Sequence, residues 1–348
     1  MARIQLDLDR YREQLEARLG KIWEIRRFFI QKARELKHRR VVFAEGEEPR
    51  ILRAASLLHT EKIAEPILLG RKERIRAALD ELGLEGPFEI VEPEFDPRRE
   101  TYAQRLYEER QRKGITLHEA RRLMKDPNYF GVMMVAQGDA EVFLSGITYH
   151  YPDVLRPILQ VIRTREDVRR VAGLYLVIHK GEVFLFADAT VNIHPTSEDL
   201  AEIALLAAEF ARQIGLEPRV ALLSFSNFGS VDHPETQRVR EAVRLIRQRD
   251  PKLQVDGEMQ ADTALSAELQ ERDYPFNMLQ GRANVLVFPD LDSANISYKL
   301  LKHIAGAEVI GPILLGTRCA AHALQRGDDV AEITTIAALA LSQVRSRE

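Results

Sequence analysis

The sequence holds a single cysteine, Cys319, in 348 residues. No intrachain disulfide can form, and no zinc site can be built on cysteines. Such usage fits a reducing compartment and points to a cytoplasmic protein. No run of roughly 18 uncharged apolar residues occurs, so no membrane-spanning helix is expected. The opening MARIQLDLDRYREQLEARLGK is charged throughout and lacks the apolar core of a signal peptide. Positive charge is not in excess: 50 Lys and Arg stand against 53 Asp and Glu, a net of −3, which argues against a nucleic-acid partner. The glycine-rich dinucleotide and Walker patterns, H-E-x-x-H and G-x-S-x-G are all missing. The nine histidines are scattered without metal-ligand spacing, so no metal is expected.

What is present is an ordinary globular composition, 45% hydrophobic and 30% charged. Residues 4 to 37 read as one or two amphipathic helices: Tyr11, Leu15 and Leu19 recur at spacing four, and Ile22, Ile25 and Phe29 follow at three and four. From residue 40 the grammar becomes strand–helix alternation. Val41–Phe43 precedes a helix over 49–58, Pro66–Leu69 precedes one over 72–82, and 88–91 forms a further strand. Later, 221–225 leads to a helix over 234–247 and 285–288 to one over 293–304. Alternation of this kind predicts parallel α/β layers.

Three segments carry candidate chemistry. In Ser224-Phe225-Ser226-Asn227-Phe228-Gly229-Ser230, a strand ends in small polar residues and Pro234 opens the next helix. Ser226, Asn227 and Gly229 can offer N–H and hydroxyl donors to an anion there. The same spacing equally describes a plain turn before a capped helix. In Leu324-Gln325-Arg326-Gly327, Arg326 can pair with phosphate or carboxylate oxygens. Just beyond, Asp329 and Glu332 stand three apart at a helix start, the spacing of a capping box. Arg110 and Arg156 are isolated arginines of the type that recognises phosphate. The nearby run of Arg112, Lys113, Arg121 and Arg122 reads more simply as a solvated face.

Taken in order, VVFAEGEEPRILRAA (41–55), RKGITLHEARRLMKDPNYFGVMMVAQGDAEVFLSG (112–146), VLRPILQVI (154–162), LLSFSNFGSVDHPE (222–235), VDGEMQADTAL (255–265), ANVLVFPDLDSANISYKLLKHIAGAEVIGPILLG (283–316) and LQRG (324–327) resemble the phosphotransacetylase family. The resemblance implies two α/β lobes with largely parallel sheets, in the phosphotransacetylase and isocitrate dehydrogenase-like manner, with a ligand cleft between them. It divides the chain into a helical leader (1–37), a discontinuous lobe (38–168 with 310–348) and an inserted lobe (169–309).

Carried over position by position, the resemblance assigns Arg110, Arg156 and Arg326 to acetyl-CoA and acyl phosphate. It also marks departures. The family's Leu-Ser-Arg-Gly is here Leu324-Gln325-Arg326-Gly327, and the family's basic Asp is here Glu332. A Lys-Pro pair that the family carries is replaced by Cys319-Ala320. The stretch 173–231 and the leader resemble most the C-terminal domain of hybrid NADP-dependent malic enzymes. The expectation drawn from this is an acetyl-CoA-binding regulatory and oligomerisation domain without transferase turnover, serving an oxidoreductase by allosteric control. Its NADP and divalent metal would belong to a malic catalytic domain outside this chain, its partner in a larger assembly, and a homodimer is expected. The alternative is an active phosphate acetyltransferase using Glu332 as base.

Overall fold

A computed structural model describes residues 20–344. The periodicity noted at Tyr11, Leu15 and Leu19 lies outside the described residues. Its continuation is a helix, Lys21–Arg34, in which Phe29 and Ala33 are buried. The Arg34 guanidinium there donates to the Glu61 carbonyl at 2.7 Å. Two compact units emerge. One holds Phe29–Leu174 with 310–344, and the other Tyr175–Val309 with 20–28.

The first unit is built on five strands: β1 (Arg40–Phe43), β2 (Glu65–Leu69), β3 (Glu89–Val91), β4 (Val142–Ser145) and β11 (Ala320–Ala323). Their order is β11-β4-β1-β2-β3, and every pairing is parallel. Strands β4 and β11 are buried along their whole length, as expected for a parallel sheet covered by helices on both faces. The helix Pro127–Gln137 explains part of that cover. Asp126 caps its start by accepting from the N–H groups of Asn128 (2.8 Å) and Tyr129 (3.2 Å). Phe130, Val132, Met133 and Met134 are all buried, so this helix is apolar nearly all round.

Topology places the site. The chain runs outward from β1 through β2 to β3, then crosses back to lay β4 on the other side of β1. Loops leaving β1 and β4 therefore part in opposite directions and open a crevice at the carboxyl ends of the strands. The register keeps those ends level, Phe43 beside Leu144 and Ser145 beside Ala323.

The second unit carries a six-stranded sheet ordered β10-β5-β6-β9-β7-β8: β5 (Ala172–His179), β6 (Glu182–Ala187), β7 (Arg219–Leu223), β8 (Gln254–Met259), β9 (Val285–Val287) and β10 (Glu308–Leu315). The pairs β6–β9, β9–β7 and β7–β8 are parallel. A two-residue turn joins β5 to β6, with positive φ at both Lys180 (50°) and Gly181 (78°), as a tight hairpin requires. Tyr175 stacks on Tyr298 at 4.0 Å in the core beside it. Strand β7 ends at Leu223, two residues before the end expected from sequence: the Ser224 N–H still reaches the Met259 carbonyl at 2.9 Å, but the chain bends from Phe225, which is left exposed. No helix among the described residues is long and apolar enough to cross a membrane.

Candidate functional site at a sheet switch point

Glu45 is separated from the end of β1 by one residue and is only 7% exposed. Its Oε2 accepts from the N–H groups of Gly146 (2.7 Å) and Ile147 (3.0 Å). Its Oε1 accepts from the Thr148 hydroxyl at 2.6 Å and from the Thr148 N–H. One carboxylate thus satisfies the donors of the whole turn after β4, and burying it is tolerable for that reason. Gly146 has φ 131°, and a Cβ there would lie 2.3 Å from the Leu324 carbonyl oxygen. Only glycine lets the β4 turn approach the β11 turn this closely. The Leu324 N–H completes the junction on the Ser145 carbonyl at 2.7 Å.

The turn after β11 is held as firmly. The Gln325 N–H donates to Asp328 Oδ2, and the Gln325 side-chain amide to the Gly311 carbonyl, both at 2.8 Å. Arg50 reaches across from the helix Pro49–Thr60 and donates to the carbonyls of Arg326 (2.8 Å) and Asp328 (3.0 Å). Glu48 pairs with the same guanidinium at 2.9 Å. The Arg326 side chain itself stays exposed. Its Nη2 lies 3.4 Å from the Thr148 carbonyl and 3.3 Å from each ring nitrogen of His150. These contacts are long, so the guanidinium remains available to an incoming anion.

Glu332 forms the capping box read from its spacing. It accepts the Asp329 N–H at 2.8 Å, and its own N–H donates to Asp329 at 2.8 Å.

A cavity of about 330 Å³ opens between the β1 and β4 loops, lined by Glu45, Glu47, Glu48, Pro127, Thr148 and Tyr149 among others. Arg71 and Arg74 face Glu47 at 3.0 and 3.5 Å and offset part of the acidic charge. Burial pushes the Tyr149 phenol up to about 12, with Asp126, Glu45 and Glu47 adding to the effect, so it is a neutral donor. Burial likewise raises Tyr129, against which Arg156 and Arg110 pull. Those two arginines therefore share one neighbourhood around Tyr129, whose hydroxyl donates to Gln160 at 2.7 Å. Arg156 is exposed, and Arg110 has a buried Nε without a hydrogen-bond partner.

Ser226, Asn227 and Gly229 belong to the other unit, where their polar groups meet protein. Glu258, fully buried, accepts from the Gly229 N–H at 2.7 Å and the Ser226 hydroxyl at 3.1 Å. Asn227 Oδ1 accepts the Gln260 N–H at 2.8 Å. This loop uses the donors expected to face an anion to hold its own shape. Sequence reasoning did not single out Glu45, Arg50, Thr148, His150 or Glu258. A usable signal existed for one of them: Glu45 is an acid just past an apolar stretch, Val41–Ala44, and just before a glycine.

Comparison with known proteins settles the family. The sequence profile of phosphate acetyl/butaryl transferases matches residues 25–341. The chain belongs to that family. It is 38% identical over 305 residues to a phosphate acetyltransferase of Bacillus subtilis, covering 87% of this chain and 94% of the relative. A phosphate acetyltransferase of Nitratidesulfovibrio vulgaris is 38% identical over 320 residues; 92% of this chain is covered but only 45% of that relative. An NADP-dependent malic enzyme of Escherichia coli is 39% identical over 316 residues, with 89% of this chain and 42% of the relative covered. Among solved structures, a phosphotransacetylase from Streptococcus pyogenes superposes with a TM-score of 0.89 at 36% identity, covering 93% of this chain and 98% of the other.

These findings correct the expectation of a regulatory domain without turnover, and with it the malic enzyme, oxidoreductase and allosteric assignments. The likeness to the Bacillus subtilis phosphate acetyltransferase runs nearly end to end, whereas the malic enzyme is matched over less than half its length. The expectation rested on two positions, Gln325 and Glu332. The structure gives physical reasons not to equate those changes with lost chemistry. Gln325 takes up a defined bond to Gly311, and Glu332 still presents a carboxylate at the start of the helix Val330–Ser342.

Proposed function

We propose that this chain is a working phosphate acetyltransferase, converting acetyl-CoA and inorganic phosphate to acetyl phosphate and free coenzyme A. The observation that carries the reading is Arg326, set on the Thr148–His150 turn at the switch point of a sheet whose family transfers acyl groups to phosphate. Likeness along 94% of the Bacillus subtilis phosphate acetyltransferase supports it.

In this reading a phosphate oxygen attacks the thioester carbonyl carbon, the carbonyl becomes an oxyanion, and the C–S bond then breaks to release the thiolate. Charge accumulates on oxygen as the tetrahedral species forms, and preorganised donors lower its energy most. Arg326 is the donor assigned to that charge and to the phosphate, with its backbone fixed by Arg50. Arg110 and Arg156 supply the cationic neighbourhood for the phosphates of coenzyme A. Glu332 serves as the base that takes the thiol proton in the reverse direction and returns it in the forward one. The extra methylene relative to Asp lets its carboxylate lean while Asp329 anchors the helix start. Gln325, tied to Gly311, takes over support of the turn where the family carries serine.

The deciding assay mixes the purified chain with acetyl-CoA and follows thiol release with a thiol reagent, with and without inorganic phosphate. Phosphate-dependent release that Arg326→Ala lowers by about 100-fold is the expected result. A folded chain that releases no thiol in the presence of phosphate overturns the reading.

A further inference from the structure

Arg163 holds a backbone conformation that a side-chain-bearing residue rarely adopts, φ 62° with ψ −176°. It ends a widened π-helical turn, Ile158–Ile162, and its N–H reaches back five residues to the Ile158 carbonyl at 3.2 Å. Its own carbonyl accepts the Arg318 N–H at 3.1 Å. The residues after it lie along the segment 316–318: Thr164 bridges Thr317, and the Arg165 N–H donates to the Gly316 carbonyl at 3.0 Å. Ile158, Val161 and Ile162 bury the turn. Bonds on both sides thus keep a strained residue in place, which is how such strain persists. From this position the guanidinium reaches the end of the helix Arg98–Arg110. Its Nη2 donates to the Glu109 carbonyl at 3.2 Å and to Glu109 Oε2 at 3.3 Å.

Arg110 is the very next residue, and its backbone (φ −126°, ψ 0°) has already left the helix. The ion-pair half of the Arg163–Glu109 contact is partly exposed and contributes little. The carbonyl half matters more, because it ties a helix-end acceptor to a fixed point elsewhere in the chain. The same turn carries Gln160, which accepts from the Tyr129 hydroxyl at 2.7 Å, and it begins two residues after Arg156. One turn is therefore joined to both arginines of the Tyr129 neighbourhood, to Arg156 through the chain and to Arg110 through Arg163. We infer that Arg163 is a positioning residue for coenzyme A: it holds the helix end that carries Arg110 in register with Arg156, without touching the ligand. The inference rests on the assignment of Arg110 to the phosphates of coenzyme A.

Calorimetric titration of the full chain with coenzyme A tests the inference, with thermal melting beside it. Arg163→Gly removes the guanidinium and relieves the backbone, whereas Arg163→Ala removes the guanidinium and keeps the strain. Both should weaken coenzyme A by about tenfold, although the glycine variant melts higher than the alanine one. Arg163→Lys should recover part of the affinity, since an ammonium can still donate to Glu109. The deciding step is a double-mutant cycle. Arg110→Ala weakens binding by itself, and adding Arg163→Gly to it should change the affinity by less than about twofold, because the lost residue acted through Arg110. An affinity unchanged in Arg163→Gly overturns the inference, as does one that follows the melting temperatures. So does an Arg110→Ala variant that binds like the parent, a full tenfold loss on top of Arg110→Ala, or a parent chain that does not bind coenzyme A. The titration needs no turnover. A chain that binds coenzyme A but releases no thiol refutes the transferase reading, while the cycle still decides the role of Arg163.

Discussion

Arg50 donates from Nη1 to the backbone carbonyl of Arg326 at 2.8 Å. The two residues are 276 positions apart in sequence, and the bond makes the first turn of one helix the support for the arginine proposed to meet phosphate. A second bond from the same nitrogen to the Asp328 carbonyl at 3.0 Å grips the turn on both sides. Placement of a charge-stabilising donor is sensitive to shifts of an ångström, which can lower a rate on the order of 100-fold. Arg50→Ala is therefore expected to reduce kcat/KM for phosphate-dependent thiol release by about 10- to 100-fold. Arg50→Lys should recover part of that loss, since an ammonium can hold one carbonyl but not both in the same geometry. A kcat/KM unchanged in Arg50→Ala would show that the turn holds itself.

Glu332 caps its helix and is proposed as the base, and one substitution separates the two roles. As a capping residue it needs only an oxygen to accept the Asp329 N–H, and glutamine at the same position supplies one. As a base it needs a charge. Glu332→Gln is expected to leave thermal stability within about 0.5 kcal/mol of the parent and to lower transfer by about 100-fold or more. Glu332→Ala should lose activity and, in addition, about 1 kcal/mol of stability with the cap. Comparing the two variants by calorimetry and by thiol release checks both roles, and a fully active Glu332→Gln removes Glu332 from the chemistry.

Glu45 is the keystone of the turn after β4. Replacing it by glutamine exchanges an acceptor oxygen for an NH2 group facing N–H donors, so at least one buried donor loses its partner. The expected cost is about 2–3 kcal/mol in denaturant-induced unfolding, with loss of transfer because Thr148 and His150 flank Arg326. Glu45→Asp retains the charge but withdraws it by one methylene, and should fall between.

The alternating pattern was enough to place the helices and strands within a residue or two where the segments were strongly periodic. The helix over 72–82 and the strand at Val41–Phe43 are examples. The capping box at Asp329 and Glu332 was also legible, since both partners lie within four residues of each other. The switch point was not, because it depends on β4 crossing to the far side of β1, and nothing local encodes strand order. For the same reason nothing in the sequence marks Arg50: its partners are 276 and 278 positions away. The Ser226–Gly229 loop shows the same limit from the other side. Its donors were visible, but the buried carboxylate that consumes them, Glu258, comes some thirty residues later. Donors can be read from a sequence; what already satisfies them cannot.

His322 offers a prediction about acid stability. It is fully buried in β11, where its Nδ1 accepts the Leu314 N–H at 2.9 Å and its Nε2 meets Gln343 Oε1 at 2.8 Å. That arrangement fixes the neutral tautomer with the proton on Nε2, because Nδ1 must accept and the Gln343 oxygen cannot donate. Burial pushes the imidazole down from 6.5 to about 4, against the opposing hydrogen bond to Gln343. The folded state therefore resists a proton that the unfolded chain binds below pH 6.5. Between pH 6.5 and about 4 the unfolded chain holds more protons, so stability falls as pH falls through that window and is fully present above it. The loss attributable to His322 is on the order of 3 kcal/mol. His322→Asn keeps an acceptor for the Leu314 N–H but cannot titrate. It should start less stable at pH 7, having lost the bond to Gln343, and then lose distinctly less than the parent on going to pH 4. Urea unfolding of both proteins at half-unit pH steps measures the difference. Parallel acid limbs would mean that His322 takes no part in the acid sensitivity of the fold.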